Sequence, residues 1–266
     1  MVEHRVKNFG EYVEIIKEVT LGDNKILWFR GHADHSWNLQ PSVWRNYSRD
    51  DERAMNHEFL WKAKSRTLRP PIDKDWSSWL SLMQHYRLPT RLLDWSKSPL
   101  VALYFAIEQS ILSLRKEIPN TDAAVWLLCP GELNVVSGLE PYIFSIQTGT
   151  ARDMIEPAFL NPQRVKENDK IIAVSAIEDD IRMMVQQAAF TIHSSLLPLE
   201  NYCDVSRFLK KIIIPKESIP SMSIEMDILG IKQSMIYPDL ENLALEIQRR
   251  YSRLTGHPST PKPNKP

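Results

Sequence analysis

The segment that decides the fold is residues 84–106, which read QHYRLPTRLLDWSKSPLVALYFA. Polar side chains such as His85 and Asp94 stand here beside a run of apolar ones. A solvated loop would lack the apolar residues, and a plain core segment would lack the polar ones. Apolar walls with a few directed polar groups are typical of a ligand pocket. The alternative is a polar network that braces the following helix, in which Asp94 pairs with Arg91 or Arg30.

Local signals in the same segment predict an extended stretch followed by a helix. Pro89 breaks the chain, and Thr90–Leu93 is predicted to be short and extended. Ser98 is a good N-cap and Pro99 suits the first helical position, so a helix is predicted over Ser98–Leu114.

A second unusual segment, Trp28–His32, lies upstream and reads WFRGH. The apolar run Ile26–Arg30 predicts a short buried strand, at whose end Gly31 would supply a backbone conformation that only glycine adopts easily. A buried arginine is costly unless it is paired, so Arg30 requires a carboxylate or an anionic ligand. Two interpretations stay open. Arg30 contacts an anion or nucleotide, or it pairs with an aspartate and holds two segments together.

A third segment, Arg182–His193, joins the other two as a candidate. It combines Arg182 and Gln187 with Phe190 and His193. A lone histidine near a strand is more often a core residue than a catalyst, so the interest of His193 comes from its neighbours.

The rest of the chain predicts an α+β fold with a mixed, largely antiparallel sheet surrounded by helices, because strands and helices mix without regular βαβ alternation. Residues 1–254 are predicted to form a single domain, and residues 255–266 a disordered Pro-rich tail. Further strands are predicted at Ala123–Leu128, Ile171–Ala176, Phe190–Ile192 and Arg207–Ile214. Further helices are predicted at Asn8–Val19, Asp50–Ser65, Trp76–His85, Lys216–Ile228 and Leu240–Leu254, with a loop at Ala33–Tyr47.

Composition excludes several functional classes. Lys plus Arg equals Asp plus Glu at 33 each, so net charge gives no general attraction to nucleic acid or to membrane surfaces. No glycine-rich phosphate loop is present, which argues against a Rossmann or P-loop site. Cys129 and Cys203 form no CxxC pair, and the histidine spacing predicts no metal site. With no signal-peptide pattern and no apolar run of spanning length, we expect a soluble cytoplasmic protein without a membrane partner.

In the order in which they follow one another along the chain, the three segments resemble the FRG-domain family, which is named for a Phe-Arg-Gly triplet. The likeness covers roughly Asn8 to Tyr251, and it implies a component of bacterial conflict systems such as phage defence. Ala188 stands where the family often has glycine. The matching positions are Phe29-Arg30-Gly31, residues 84–95 and 98–106, then Arg182, Gln187, Phe190 and His193, and finally Gly230-Ile231 and Tyr237-Pro238-Asp239-Leu240.

A weaker likeness concerns ADP-ribosyltransferase-like proteins. The first strand of these proteins is similar to residues 26–32, and their second element, an extended segment followed by a helix, is similar to residues 92–106. The likeness implies NAD as the substrate and loss of nicotinamide through an oxocarbenium-like state. Arg30 would then hold phosphate, and aromatic residues would clamp nicotinamide, for which the candidates are Tyr86, Trp95 and Tyr104.

The carboxylate that this chemistry needs near the ribose has no convincing motif in the chain. A late glutamate is usual in such proteins, and the candidates here are Glu178 and Glu225. Asp94 is a substitute that comes early in the chain.

Together the segments define a set of candidate site residues, without a metal ligand among them. The candidate catalytic residues are Arg30, His32, His85, Asp94 and His193. The candidate ligand-binding residues are Phe29, Gly31, Gln84, Tyr86, Thr90, Arg91, Trp95, Tyr104, Arg182 and Gln187.

Three hypotheses about function follow. The first is an enzyme that uses NAD, either a transferase with a protein target or a glycohydrolase. The second is a non-catalytic module that senses a nucleotide or a phage component. The third is RNA binding or cleavage through Arg87, Arg91 and His85, against which the neutral charge and the absence of a basic run argue. A small-molecule nucleotide is therefore the expected partner.

Overall fold

The structure is a computed structural model that describes residues 2–23, 25–112, 118–161, 163–177 and 180–255. The strands within these ranges are β1 Val2–Arg5, β2 Trp28–His32, β3 Leu92–Ser96, β4 Ala123–Leu128, β5 Phe144–Ser145, β6 Ile171–Ser175, β7 Ala188–His193 and β8 Leu209–Ile214. The helices are α1 Phe9–Asp23, α2 Ser42–Asn46, α3 Arg49–Ala63, α4 Trp76–His85, α5 Pro99–Leu112, α6 Pro130–Val136, α7 Gly149–Ile155, α8 Ile181–Val185, α9 Ile219–Ile228, α10 Gln233–Ile236 and α11 Leu240–Thr255.

The eight strands form one sheet in the order β1-β8-β4-β2-β3-β7-β6-β5. The two outermost pairs, β1 with β8 and β5 with β6, are parallel, and the pairs between them are antiparallel. Helices pack against this sheet. The predicted α+β class with a mixed, largely antiparallel sheet is therefore confirmed.

Alternating side chains of β2 show how the sheet divides the core, since successive residues of a strand point to opposite faces. Phe29 packs into an apolar cluster with Ala102, Ala106 and other residues of α5. Trp28 packs into a second cluster with Trp95 of β3. A third cluster joins α4 and α7 to β6 and β7. The segment around residues 84–106 contributes to all three clusters, which makes it central to the fold.

The predicted helix after residue 98 is present as α5. Ser98 Oγ accepts a hydrogen bond from the Val101 backbone N–H at 3.4 Å, as expected of an N-cap. The structure describes α5 to Leu112, so the predicted end at Leu114 lies outside the described residues.

Several predicted boundaries differ from the observed ones. The extended stretch predicted at Thr90–Leu93 begins two residues later as β3, and the Thr90 side chain accepts a hydrogen bond from the Leu92 backbone N–H at the start of the strand. The predicted loop Ala33–Tyr47 contains α2. The helix predicted from Lys216 starts at Ile219, with Pro220 in its first turn. Of the predicted tail, Thr255 ends α11, and residues 256–266 lie outside the described ranges.

Candidate functional site

The sheet splits between β2 and β3, and a cleft opens at the split. The two strands share one register pair, Phe29 with Ser96, whereas β3 and β7 share five. Beyond that single pair, Arg30 and Trp95 line a cleft of about 580 Å³ instead of continuing the ladder. The predicted site residues that line this cleft are Phe29, Arg30, Gly31, Gln84, His85, Asp94, Trp95 and Arg182.

Arg30 spans the split. Its Nη1 donates to the backbone carbonyl oxygen of Asp94 at 2.6 Å, which replaces a hydrogen bond that the ladder lacks at this point. Its Nε contacts Nε2 of His32 at 3.2 Å. Burial lowers the pKa of Arg30, and the Asp94 carboxylate opposes that shift. The Arg30 side chain keeps 20% of its surface exposed, so it reaches solvent through the cleft.

Asp94 is held by a short chain of side-chain hydrogen bonds. Gln84 Nε2 donates to Asp94 Oδ2 at 2.8 Å, and Thr90 Oγ1 donates to Gln84 Oε1 at 2.5 Å. These bonds fix the orientation of the Gln84 amide at the end of α4. The Asp94 side chain remains 56% exposed, so the carboxylate is available from the cleft. The polar network therefore ties β3 to α4, whereas the alternative interpretation expected it to brace α5.

Gly31 has a steric role that corrects the conformational one expected from the sequence. It lies inside β2, and the described glycines with positive φ are Gly138 and Gly230. A Cβ at Gly31 would stand 2.0 Å from the carbonyl oxygen of Ala102 and 2.5 Å from the backbone nitrogen of Ala106. Only glycine lets α5 approach β2 so closely, and this contact forms one wall of the cleft.

His85 lies at the cleft without a close catalytic partner. Its ring packs edge-on against Tyr86 with centroids 5.0 Å apart, and its Nε2 is 4.0 Å from Asp180 Oδ2. The exposed Tyr86 ring lines a separate apolar groove of about 550 Å³ between α3 and α4.

The two other candidate histidines are buried next to the cleft. His32 is 4% exposed, and Trp126 Nε1 lies 3.3 Å from its Nδ1. His193 is fully buried, and its Nε2 lies 2.8 Å from Thr191 Oγ1. Burial lowers the pKa of each histidine to about 3, and the charge of Arg30 adds to the shift. Both rings are therefore neutral and serve the core beneath Arg30.

Arg91 does not face the cleft. Its guanidinium is fully buried and donates from Nε and Nη2 to the Glu52 carboxylate of α3, at 3.0 and 2.6 Å. Nη1 and Nη2 also reach Glu167 at 3.2 and 3.1 Å. The pairing of Asp94 with Arg91, one of the sequence alternatives, is thus absent among the described contacts. Arg91 joins α3, β3 and the loop that carries Glu167.

The remaining candidates occupy structural positions. Thr90 is buried and holds Gln84, and Tyr104 is buried in the cluster under α5. Gln187 has a φ of 49° at the turn into β7 and does not line the cleft. Glu225 accepts from the backbone N–H of Phe9, and Glu178 lies outside the described residues.

Glu108 is a carboxylate of the cleft that sequence reasoning missed. It is the only charged residue of α5, one turn beyond Tyr104, and it lines the cleft together with Phe105 and Arg182. Burial raises the pKa of Glu108, while the nearby Tyr237 hydroxyl opposes the shift. A lone acid in an otherwise apolar helix is a signal that could have identified it.

Metal and membrane features are absent from the parts of the chain that the structure describes. No group of three or more His, Cys, Asp or Glu residues that could hold a metal ion occurs there. None of the described helices combines the length and the apolarity that crossing a bilayer requires.

Comparison with known proteins supports one family. Residues 25–113 match the model of the FRG domain, a range that runs from just before β2 through α5. The predicted resemblance to the FRG-domain family is thereby confirmed for the segment that contains Arg30, Gly31 and Asp94. Searches of curated proteins and of solved structures found no match.

Proposed function

We propose that the cleft binds a nucleotide-type small molecule and that Arg30 contacts its phosphate groups. The observation that carries this proposal is the placement of Arg30 at the split between β2 and β3. Its Nε and Nη1 are engaged by His32 and Asp94, while Nη2 has no hydrogen-bond partner among the described residues. A guanidinium that is held in place and still offers N–H groups to an open cleft suits phosphate oxygens.

The remainder of the cleft also suits such a ligand. Its volume of about 580 Å³ falls within the usual range for small-molecule sites. The half-buried ring of Phe105 lines it and offers a face on which a planar ring can pack, whereas the predicted Trp95 is 3% exposed and its ring packs in the core. Asp94 and Glu108 add two carboxylates, which can bind N–H or O–H groups of a ligand.

NAD is the candidate ligand, and ADP-ribosyl transfer or NAD hydrolysis is the candidate reaction. In hydrolysis the bond between ribose C1′ and nicotinamide breaks, and its electron pair leaves on the nicotinamide nitrogen. A water molecule adds to C1′ and gives up one proton, which a carboxylate such as Asp94 accepts. In transfer, an acceptor group of a protein target replaces the water.

A second candidate function is nucleotide sensing without turnover. The burial of His32 and His193 favours it, because two residues predicted to be catalytic serve the core instead. His85 lies in the cleft but is oriented toward Asp180, 4.0 Å away. Under this proposal the cleft binds the ligand, and the protein responds by a change in stability or in a partner contact.

One experiment separates these candidates. The protein and its Asp94→Asn variant are incubated with NAD, nicotinamide release is measured, and thermal stability is recorded with ADP-ribose. Turnover that the variant loses supports the enzyme, whereas stabilisation without turnover supports the sensor. A ligand at 100 times its Kd stabilises a folded protein by about 2.7 kcal/mol, which a melting curve detects easily. Neither turnover nor stabilisation would contradict both candidates.

RNA binding remains the weaker hypothesis, since Arg91 is buried and unavailable to an RNA backbone. The role in bacterial conflict or phage defence, implied by the FRG resemblance, stays a prediction. A plaque assay in cells with and without the protein would test it.

A further inference from the structure

The cleft holds a second carboxylate besides Asp94, that of Glu108. Glu108 follows Phe105 by three residues on α5, so both side chains lie on one face of the helix and both line the cleft. The Glu108 side chain is only partly exposed. An acid in this position is costly to desolvate unless something holds its charge.

Tyr237 and Arg182 provide that support. The Tyr237 side chain lies close to Glu108 and opposes the rise in the pKa of its carboxyl group. Arg182 lies over the Tyr237 ring at 4.9 Å, and Phe105 meets the same ring edge-on at 6.2 Å. The positive charge of Arg182 also favours the ionised carboxylate. Three separate elements of the chain thus converge to position one acid.

A carboxylate held in this way still has acceptor capacity. Its two oxygens offer about four lone-pair positions. These positions can accept N–H groups of a ligand whose ring lies against Phe105. The cleft therefore offers an N–H donor at Arg30 and a carboxylate acceptor at Glu108.

We propose that Glu108 determines specificity in the cleft by accepting a hydrogen bond from the exocyclic amino group of a nucleobase that packs against Phe105. This inference rests on the proposed nucleotide-binding function and adds the part of the ligand that is recognised. Adenine, whose N6 amino group projects from the ring edge, is the base that fits an NAD-type ligand. The competing explanation is that Glu108 only braces α5 against Tyr237.

The test compares two probes that differ in one group, ADP and purine riboside 5′-diphosphate, which lacks the amino group. Isothermal titration calorimetry gives the ratio of their affinities for each protein variant. A hydrogen bond to a charged acceptor contributes about 1.5–3 kcal/mol, so the natural protein should prefer ADP by roughly 10- to 100-fold. In Glu108→Ala the ratio should fall to within about twofold, with affinity for the amino-free probe unchanged.

Three further variants make the result decisive. Glu108→Gln preserves the side-chain shape and should reduce the preference for ADP, and Tyr237→Phe, which keeps the carboxylate, should reduce that preference less than Glu108→Gln does. Glu58→Gln, on α3 outside the cleft, is the matched control and should keep the full preference. Each variant is checked by thermal unfolding, and the ratio of affinities does not depend on the folded fraction.

The outcomes separate this inference from the proposed function. If the natural protein binds neither probe, the proposed function fails and the inference fails with it. If both probes bind equally well, or if Glu108→Ala retains the preference for ADP, the inference alone is overturned. If Glu108→Ala weakens the binding of both probes by the same factor, Glu108 acts as a structural brace and the inference is likewise overturned.

Discussion

Arg30 holds Asp94 through the backbone. Its Nη1 donates to the Asp94 carbonyl oxygen at 2.6 Å, whereas the nearest Asp94 carboxylate oxygen lies 3.9 Å away. The arginine therefore joins two diverging strands through the Asp94 backbone, and its ion pair with the Asp94 carboxylate is the longer of the two contacts. Both expected roles of Arg30 are thus compatible, because one edge of the guanidinium joins two segments while the other edge faces the cleft.

Replacing Gly31 by alanine should destabilise the fold severely. The new Cβ would stand 2.0 Å from the Ala102 carbonyl oxygen, and backbone atoms cannot move aside as a flexible side chain can. We expect the free energy of unfolding in urea to fall by about 3 kcal/mol or more. Gly149→Ala is the matched control, since a Cβ added there would meet no atom within 4 Å, and it should change stability by less than about 1 kcal/mol. Equal effects of the two substitutions would refute the close-approach explanation.

The Arg91–Glu52 pair should be essential to stability. Both side chains are fully buried, so Glu52→Gln would leave the arginine charge poorly compensated. The expected cost is about 3–5 kcal/mol in chemical unfolding. Glu58→Gln, which removes the exposed pair with Lys62 on the same helix, should cost less than about 1 kcal/mol. A small effect at Glu52 would mean that Glu167 alone can compensate Arg91.

Stability should decrease in mild acid because of the buried histidines. The pKa of His32 and of His193 is about 3 in the folded protein, whereas an unfolded histidine titrates near 6.5. Between these values the unfolded chain binds more protons, so the free energy of unfolding falls as pH decreases from about 6.5 toward 3. Each histidine contributes a slope of about 1.4 kcal/mol per pH unit.

His193→Gln tests this pH dependence. The slope of stability against pH, measured by urea unfolding between about pH 6 and 5, should be smaller than in the natural protein by nearly one histidine's share. The absolute stability of the variant does not matter for this comparison. An unchanged slope would show that His193 is not neutral in the folded state.

The sequence predicted the fold class and the location of the cleft because both depend on local patterns. The mixture of polar and apolar residues around Asp94 and the triplet at Arg30 are visible without tertiary information. The partners of the buried polar residues are not visible in the sequence, since Arg91 contacts Glu52 and Glu167 at separations of 39 and 76 residues. The alternation of residues along a strand does not indicate which polar side chain faces a cleft and which one pairs with a buried acid.

Gly31 and Glu108 show two other limits of sequence reasoning. A glycine at a strand suggests a special φ, whereas the contact with α5 can be found only from packing. Glu108 belongs to no motif, and its place in the cleft beside Tyr237, a residue of a distant segment, follows only from the fold. Residues that tertiary structure brings together are those that sequence patterns fail to identify.

The most direct test of the central claim is the affinity of Arg30→Gln for ADP-ribose, measured by calorimetry beside its unfolding free energy. If Arg30 contacts the phosphates, the affinity should fall at least tenfold, as expected for loss of a charged hydrogen bond. The folded state should persist with a cost of about 1–3 kcal/mol, because Asp94 loses one hydrogen bond to its backbone. A folded Arg30→Gln protein that binds ADP-ribose as tightly as the natural one would contradict the account.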